Sequence, residues 1–279
     1  MSTIEKKEPD VAREYYNSSD ADTFYHTIWG GEDIHIGMYQ SKDDTIYDAS
    51  RRTVRRMAKL AGKITPSTRV LDIGAGYGGS ARFLAKKYEC SVVCLNISEV
   101  ENERNRILNT KQRLNHLIEV IDGTFDDVPF EDGSFDIVWS QDAILHSCDR
   151  EKVLEEVARV LKPGGRFIFT DPMKNDECPD EVLQPILDRI QLDDLGCPRF
   201  YRKTARRFGL KEVAVEDHSE QIANHYGKVL QETESNADKL KGKVSKNYIT
   251  RMKKGLKHWI NGGRKGHLAW SIFVFQKKK

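Results

Sequence analysis

The stretch Arg69-Val70-Leu71-Asp72-Ile73-Gly74-Ala75-Gly76-Tyr77-Gly78-Gly79-Ser80 brings one carboxylate and four glycines into a span that suits ligand chemistry. Glycine accepts positive φ at little cost and lets backbone approach a ligand with no Cβ in the way. The apolar residues before the loop read as a buried strand, and Phe83 and Leu84 after it read as the inward face of a helix. A helix N-terminus behind such a loop presents unpaired N–H groups and a positive dipole end to an anionic group. The loop is therefore a nucleotide-cofactor turn. Gly74-x-Gly76-x-x-Gly79 satisfies the dinucleotide spacing, but that reading also needs an acid about 20 residues on to bind the ribose. Asn96 stands there instead, so the nicotinamide reading is disfavoured, although an amide can still bond to a ribose hydroxyl.

The elements that must position this loop alternate between strand and helix. Residues 91–97 form a second apolar strand, 118–121 a third, 135–140 a fourth, and 166–171 a fifth closed by Pro172. Helices are expected over 99–114 and 151–161, the latter ended by Lys162-Pro163-Gly164-Gly165. This order predicts a parallel sheet covered on both faces by right-handed crossovers. Before it, residues 1–10 are expected to fray, 11–24 and 43–61 to be helical, and Trp29-Gly30-Gly31-Glu32-Asp33-Ile34-His35-Ile36-Gly37 to form a loop. Residues 1–64 thus form an N-terminal helical cap or lid, and 65–279 the main domain. After the fifth strand come a short helical piece, a helix over 202–208, a strand over 210–216, a charged helical region over 220–260 broken near Lys241-Gly242, and a final strand over 268–276. Insertions at about 173–200 and 220–262 interrupt the alternation. Ligands in open α/β sheets lie outside the carboxyl ends of the strands, which makes these insertions lid or substrate elements.

Composition narrows the class. With 279 residues, 32% of them charged, and a net charge of +2, the chain has no bulk-charge case for nucleic acid or membrane. Its apolar runs fall short of the ~20 residues that span a bilayer. Five cysteines, an odd number with no C-x-x-C or zinc spacing, argue against a disulfide framework or a metal site and fit the cytoplasm.

The glycine stretch, then Asp127-Val128-Pro129-Phe130-Glu131-Asp132-Gly133-Ser134-Phe135-Asp136, then Leu161-Lys162-Pro163-Gly164-Gly165 resemble, in order and spacing, class I S-adenosylmethionine-dependent methyltransferases. The resemblance implies a Rossmann-like seven-stranded sheet with helices on both faces and an antiparallel last strand. It implies S-adenosyl-L-methionine as cofactor, held by Asp72, Gly74, Gly76, Gly78, Asn96, Ile97, Thr124, Phe125, Gln141 and Tyr25. Over most of the chain, Ser140-Gln141-Asp142-Ala143-Ile144-Leu145-His146-Ser147, the 24–37 segment and Leu95-Asn96-Ile97-Ser98-Glu99-Val100-Glu101-Asn102 are similar to the sarcosine/dimethylglycine N-methyltransferases of glycine betaine synthesis. Enzymes acting on phosphoethanolamine, tocopherols or lipids share parts of the pattern. A cofactor-binding module without catalysis is the alternative of a different class.

Methyl transfer to an amine needs a free lone pair, in-line approach and little water. Neutralising an amine of lysine-like pKa at pH 7 costs about 4–5 kcal/mol, and a histidine of ordinary pKa is a reasonable proton relay. His146, after the fourth strand, and His35, on the N-terminal loop, are the catalytic candidates. An amino-acid acceptor also presents a carboxylate, which suits a two-pronged guanidinium. Arg199, between Pro198 and Phe200-Tyr201, is the first choice. Aromatic faces attract methylated cations, so Trp29, Tyr39, Tyr201 and Tyr226 are expected, with Tyr25, to line the acceptor pocket. The expected partner is a small amine, sarcosine or dimethylglycine, with no nucleic acid, membrane or metal; a homodimer is left open.

Overall fold

The computed structural model describes residues 8–190 and 192–279. The fraying expected at the start falls mostly on residues 1–7, outside the described residues, while Glu8 already belongs to a helix.

Two short helices, α1 (Glu8–Asn17) and α2 (Ser19–Ile28), replace the single helical run read from the sequence. Ser18 separates them: its side chain accepts from the Ala21 N–H and so caps α2. A strap over residues 29–45 leads to α3 (Ile46–Leu60). That helix starts after Asp43 because the Thr45 hydroxyl accepts from the Asp48 N–H at 3.0 Å.

The alternating core follows as β1 (Arg69–Ile73), α4 (Gly79–Tyr88), β2 (Ser91–Asn96), α5 (Glu99–Lys111), β3 (Ile118–Asp122) and β4 (Phe135–Gln141). A 3-10 turn over Ile144–His146 leads into α6 (Arg150–Val160) and β5 (Leu161–Lys174). Then come α7 (Gln184–Leu187), α8 (Pro198–Arg207), β6 (Leu210–Asp217), α9 (Glu220–Ser235), α10 (Ala237–Leu240), α11 (Lys246–Arg264) and β7 (Leu268–Lys277). β5 runs through Pro172 instead of stopping before it. β4 ends opposite Thr170, so beyond that point only β7 pairs with β5, and a missing N–H on the open side is tolerated.

The strands form one sheet in the order β3-β2-β1-β4-β5-β7-β6, with β1 to β5 parallel and β7 antiparallel to both neighbours. Strand order reverses between β1 and β4, and a crevice opens at such a switch point beyond the strand ends. The glycine loop after β1 and the 3-10 turn after β4 flank it.

One face of the sheet is covered by Val153, Leu154 and Val157 of α6 with Tyr201 and Ala205 of α8. The other face packs against Val54, Met57 and Ala58 of α3 and Ala81, Leu84 and Ala85 of α4. A third cluster joins the N-terminal helices to the insertions, from Phe24, Tyr25 and Trp29 to Ile186, Tyr226, Trp259 and Trp270. Full burial of a large apolar side chain contributes about 1.5–3 kcal/mol. This third cluster therefore fastens α1 and α2 over the crevice by packing, with Trp259 Nε1 donating to the Ile186 carbonyl at 3.0 Å inside it.

Candidate active site

Two cavities adjoin at the carboxyl end of the sheet. The larger, with an empty volume of about 990 Å³, follows the glycine loop and the ends of β1, β2 and β3. The smaller, about 390 Å³, lies under the N-terminal helices and the insertions. Tyr16, Ile34, His35, Asp142 and His146 border both.

Most residues expected at a cofactor are gathered in the larger cleft: Asp72, Gly74, Gly76, Asn96, Ile97, Thr124, Phe125 and Gln141 all line it. Asp72 sits inside β1, where burial, with Asp33 nearby, pushes its carboxyl up to about 8. Gln141 Oε1 accepts from Trp139 Nε1 at 2.9 Å and from the Ser80 hydroxyl. That fixes the amide so that its buried Nε2 is left with no partner. Asn96 Nδ2 donates to Glu101 Oε2 at 3.0 Å. Glu101 also lines the cleft from the first turn of α5, and burial raises its carboxyl to about 7 despite the Asn96 bond. The acid missing at the end of β2 is thus supplied five residues later.

Two cofactor expectations are corrected. Gly78 packs on the next helix instead of facing the cleft: a Cβ there would stand 2.2 Å from Asn105 Oδ1. Tyr25 borders the smaller chamber, where its hydroxyl meets Tyr15 Oη at 3.1 Å.

The smaller chamber is aromatic, with Tyr16, Tyr25, Trp29, His225 and Tyr226 in its wall. Arg189, in the turn after α7, reaches into it and is 8% exposed. Its guanidinium lies 4.9 Å from the Tyr226 ring centre and 5.0 Å from that of Trp259. Among the described residues no carboxylate is within ion-pair distance of it, and Nε has no hydrogen-bond partner; neither has Trp29 Nε1 in the same chamber. A buried cation with unused donors is costly unless something anionic arrives.

His146 Nε2 meets the Tyr16 hydroxyl at 2.9 Å. Burial, with Arg189 and Arg150, drives its pKa down to about 3, so the ring is neutral at physiological pH. The relay expected from an ordinary histidine pKa is corrected accordingly: this imidazole holds Tyr16 in place and has little basicity of its own. His35, the other candidate, directs Nδ1 to the Ile36 carbonyl at 3.1 Å, and its Nε2 is 3.5 Å from Asp33 Oδ1. Asp142 borders both cavities with φ of +53°, the left-handed region. It accepts from the Ile36 N–H at 2.6 Å, Trp270 Nε1 at 2.8 Å and Thr170 Oγ1 at 2.7 Å, fastening the strap to β5 and β7.

Three acceptor expectations are corrected. Arg199 lies outside both cavities, on the surface of α8, paired with Glu177 Oε1 at 2.6 Å. Tyr201 is fully buried behind the sheet, its hydroxyl donating to Asp171 Oδ2 at 2.6 Å; Asp171 in turn accepts from the Leu145 N–H in the 3-10 turn that carries His146. Tyr39 stands behind the chamber, its hydroxyl 3.1 Å from His225 Nδ1. Trp29 and Tyr226 do line the chamber.

Comparison with known proteins places this geometry. A methyltransferase domain model matches residues 71–169. The sarcosine/dimethylglycine N-methyltransferase of Halorhodospira halochloris is 59% identical, over 96% of each chain. That of Aphanothece halophytica is 53% identical, over 95% of this chain and 96% of the relative. The chain belongs to the sarcosine/dimethylglycine N-methyltransferase family. A crystal structure of a candidate sarcosine dimethylglycine methyltransferase from Galdieria sulphuraria superposes with a TM-score of 0.90 at 43% identity, covering 95% of this chain and 99% of that one.

Within the family fold, sequence reasoning passed over Arg189, Asp33, Glu101 and Asp142 as site residues. Arg189 carried a signal: it is a lone cation within Ile186-Leu187-Asp188-Arg189-Ile190, where the flanking apolar residues are buried. Asp142 and Glu101 lay inside the quoted motifs but were not singled out. Among the described residues no group of three or more His, Cys, Asp or Glu is placed to hold a metal ion, and no helix is long and apolar enough to cross a membrane.

Proposed function

We propose that this chain transfers methyl groups from S-adenosyl-L-methionine to sarcosine and dimethylglycine, completing glycine betaine, an osmoprotectant, in the cytoplasm. The observation that carries the reading is the buried Arg189 among aromatic rings, with no carboxylate in ion-pair distance among the described residues, in a chamber that adjoins the cleft of the glycine loop. The polar groups of the larger cleft fit the cofactor. Asn96 and Glu101 suit a ribose diol, Thr124 and Phe125 an adenine, and the unpartnered Gln141 Nε2 and Asp33 Oδ2 a zwitterionic amino-acid end. When bound, S-adenosylmethionine supplies an electrophilic methyl group.

The chain's own residues handle the acceptor. Arg189, with the free Trp29 Nε1–H, receives its carboxylate, and a two-pronged guanidinium fixes orientation as well as charge. Tyr16, Tyr25, Trp29 and Tyr226 present rings to the methylated nitrogen and exclude water. The Tyr16–His146 hydrogen bond sets the wall between the two cavities. The positive charge of Arg189 also disfavours an ammonium beside it, which lowers the roughly 4–5 kcal/mol cost of supplying a neutral amine. Orientation then contributes most of the acceleration, since methyl transfer between fixed partners requires little covalent help from the protein.

Radiolabelled cofactor tested against an amine panel checks the proposal. Transfer to sarcosine and dimethylglycine is expected. Strong transfer to phosphoethanolamine with none to dimethylglycine would overturn it.

A further inference from the structure

The glycine-loop motif makes Asp72 the obvious carboxylate for the amino-acid end of the cofactor, yet the strap brings a second one. Asp33 is 4% exposed and lines the larger cleft. Its Oδ1 is bound by Arg51 Nη2, and its Oδ2 has no hydrogen-bond partner among the described residues. It reaches that position because residue 79 has no side chain: a Cβ on Gly79 would stand 2.2 Å from Asp33 Oδ1 and 2.4 Å from the Glu32 carbonyl oxygen. Asp33 therefore lies over the first residue of α4, where the helix dipole favours negative charge.

We propose that Asp33, not Asp72, is the counter-ion that binds the ammonium of the cofactor's amino-acid end. The assignment rests on the cofactor reading above. Charge state supports it. Burial alone would raise the Asp33 carboxyl, but Arg51 and His35 outweigh that and hold it at about 2, so it is ionised throughout the working range. Asp72, with burial foremost and Asp33 beside it, is mostly protonated at neutral pH and adds no full charge. Arg51 holds one oxygen of Asp33 and leaves the other buried and without a partner among the described residues, in the wall of the cleft, where a charge-assisted hydrogen bond is strong. Ile34, His35 and Ile36 follow directly and border the acceptor chamber, so the same contact ties the wall of that chamber to the bound cofactor.

The test is titration calorimetry on the full chain with two ligands: S-adenosylhomocysteine, and 5′-methylthioadenosine, which has the nucleoside but no amino-acid end. Asp33→Asn is expected to weaken S-adenosylhomocysteine about tenfold or more, in the range of one charge-assisted hydrogen bond, and to leave methylthioadenosine unchanged. Asp72→Asn is expected to change the first by less than about threefold. If leaving Arg51 uncompensated disturbs folding, Asp33→Asn combined with Arg51→Gln removes both charges and is read the same way. Unchanged S-adenosylhomocysteine affinity, an equal loss of both ligands, or a loss confined to Asp72→Asn would overturn the assignment. Failure of the unaltered chain to bind either ligand would instead overturn the cofactor reading.

Discussion

The larger cleft and the smaller chamber, proposed above for cofactor and acceptor, share a wall of Tyr16, Ile34, His35, Asp142 and His146, yet they are built from different material. The cleft hangs on the ends of β1, β2 and β3, where the sheet register sets each loop within a few residues of a strand. The chamber leans on the sheet only through Asp142, Leu145 and His146 after β4 and Pro172 of β5. The rest of its wall comes from α1, α2, the strap, the turn after α7 and α9, elements packed into one apolar cluster. Binding a common cofactor needs a fixed pattern of backbone and small residues, whereas choosing an acceptor needs a few large side chains placed by tertiary packing. A sheet supplies the first, and a helical cap supplies the second.

That contrast can be broken at its strongest point. Arg189→Met keeps a long side chain against Tyr226 and Trp259 but removes the charge. It should lower kcat/KM for dimethylglycine by about a hundredfold, in line with losing a buried charge pair, with S-adenosylhomocysteine affinity unchanged in calorimetry. A shared loss of both would mean that the two regions are one unit. Tyr16→Phe touches the common wall, so its effect should fall between them. Steady-state kinetics should show kcat lower by about tenfold with a smaller change in either KM, as expected when one orienting hydrogen bond is removed.

A third variant sharpens the cleft side. Glu101 is raised to about 7 in the folded chain, above its usual carboxylate value. The folded protein therefore holds a proton there that the unfolded chain has released, and stability falls as pH rises through that window. Glu101→Gln should raise the thermal midpoint of the empty protein more at pH 8 than at pH 5, as scanning calorimetry would show. The smallest effect belongs to Arg199→Ala. Its side chain is paired with Glu177 at the surface, so the acceptor KM should stay within about twofold, as for other exposed ion pairs.

The same contrast explains what could be read in the sequence. Alternating strands and helices made the parallel part of the sheet legible because each is a local pattern, whereas the seven-stranded order with an antiparallel last strand followed from the family resemblance that the three motifs carry. That Asn96, Ile97, Thr124, Phe125 and Gln141 gather at one cleft was legible because each sits at or just after a strand end. Arg199 and Arg189 show where legibility stopped. Both lie in the insertion after β5, and flanking proline and aromatic residues made Arg199 the more conspicuous. Burial decides between them, and burial of Arg189 depends on Tyr226 and Trp259, which arrive 37 and 70 residues later. Tyr201 misled for a similar reason: its place on the inner side of α8 is fixed by Phe169 and Phe273 of the sheet. The pKa of His146 was equally out of reach, since Arg189 and full burial set it.

The central claim is that Arg189 reads the acceptor's carboxylate. It is tested most directly by measuring kcat/KM for dimethylglycine and for dimethylethanolamine, which carries a hydroxyl in place of the carboxylate, on the unaltered chain and on Arg189→Met. A strong preference for dimethylglycine is expected in the unaltered chain, collapsing to within about threefold in the variant. Retention of the full preference by Arg189→Met would contradict it.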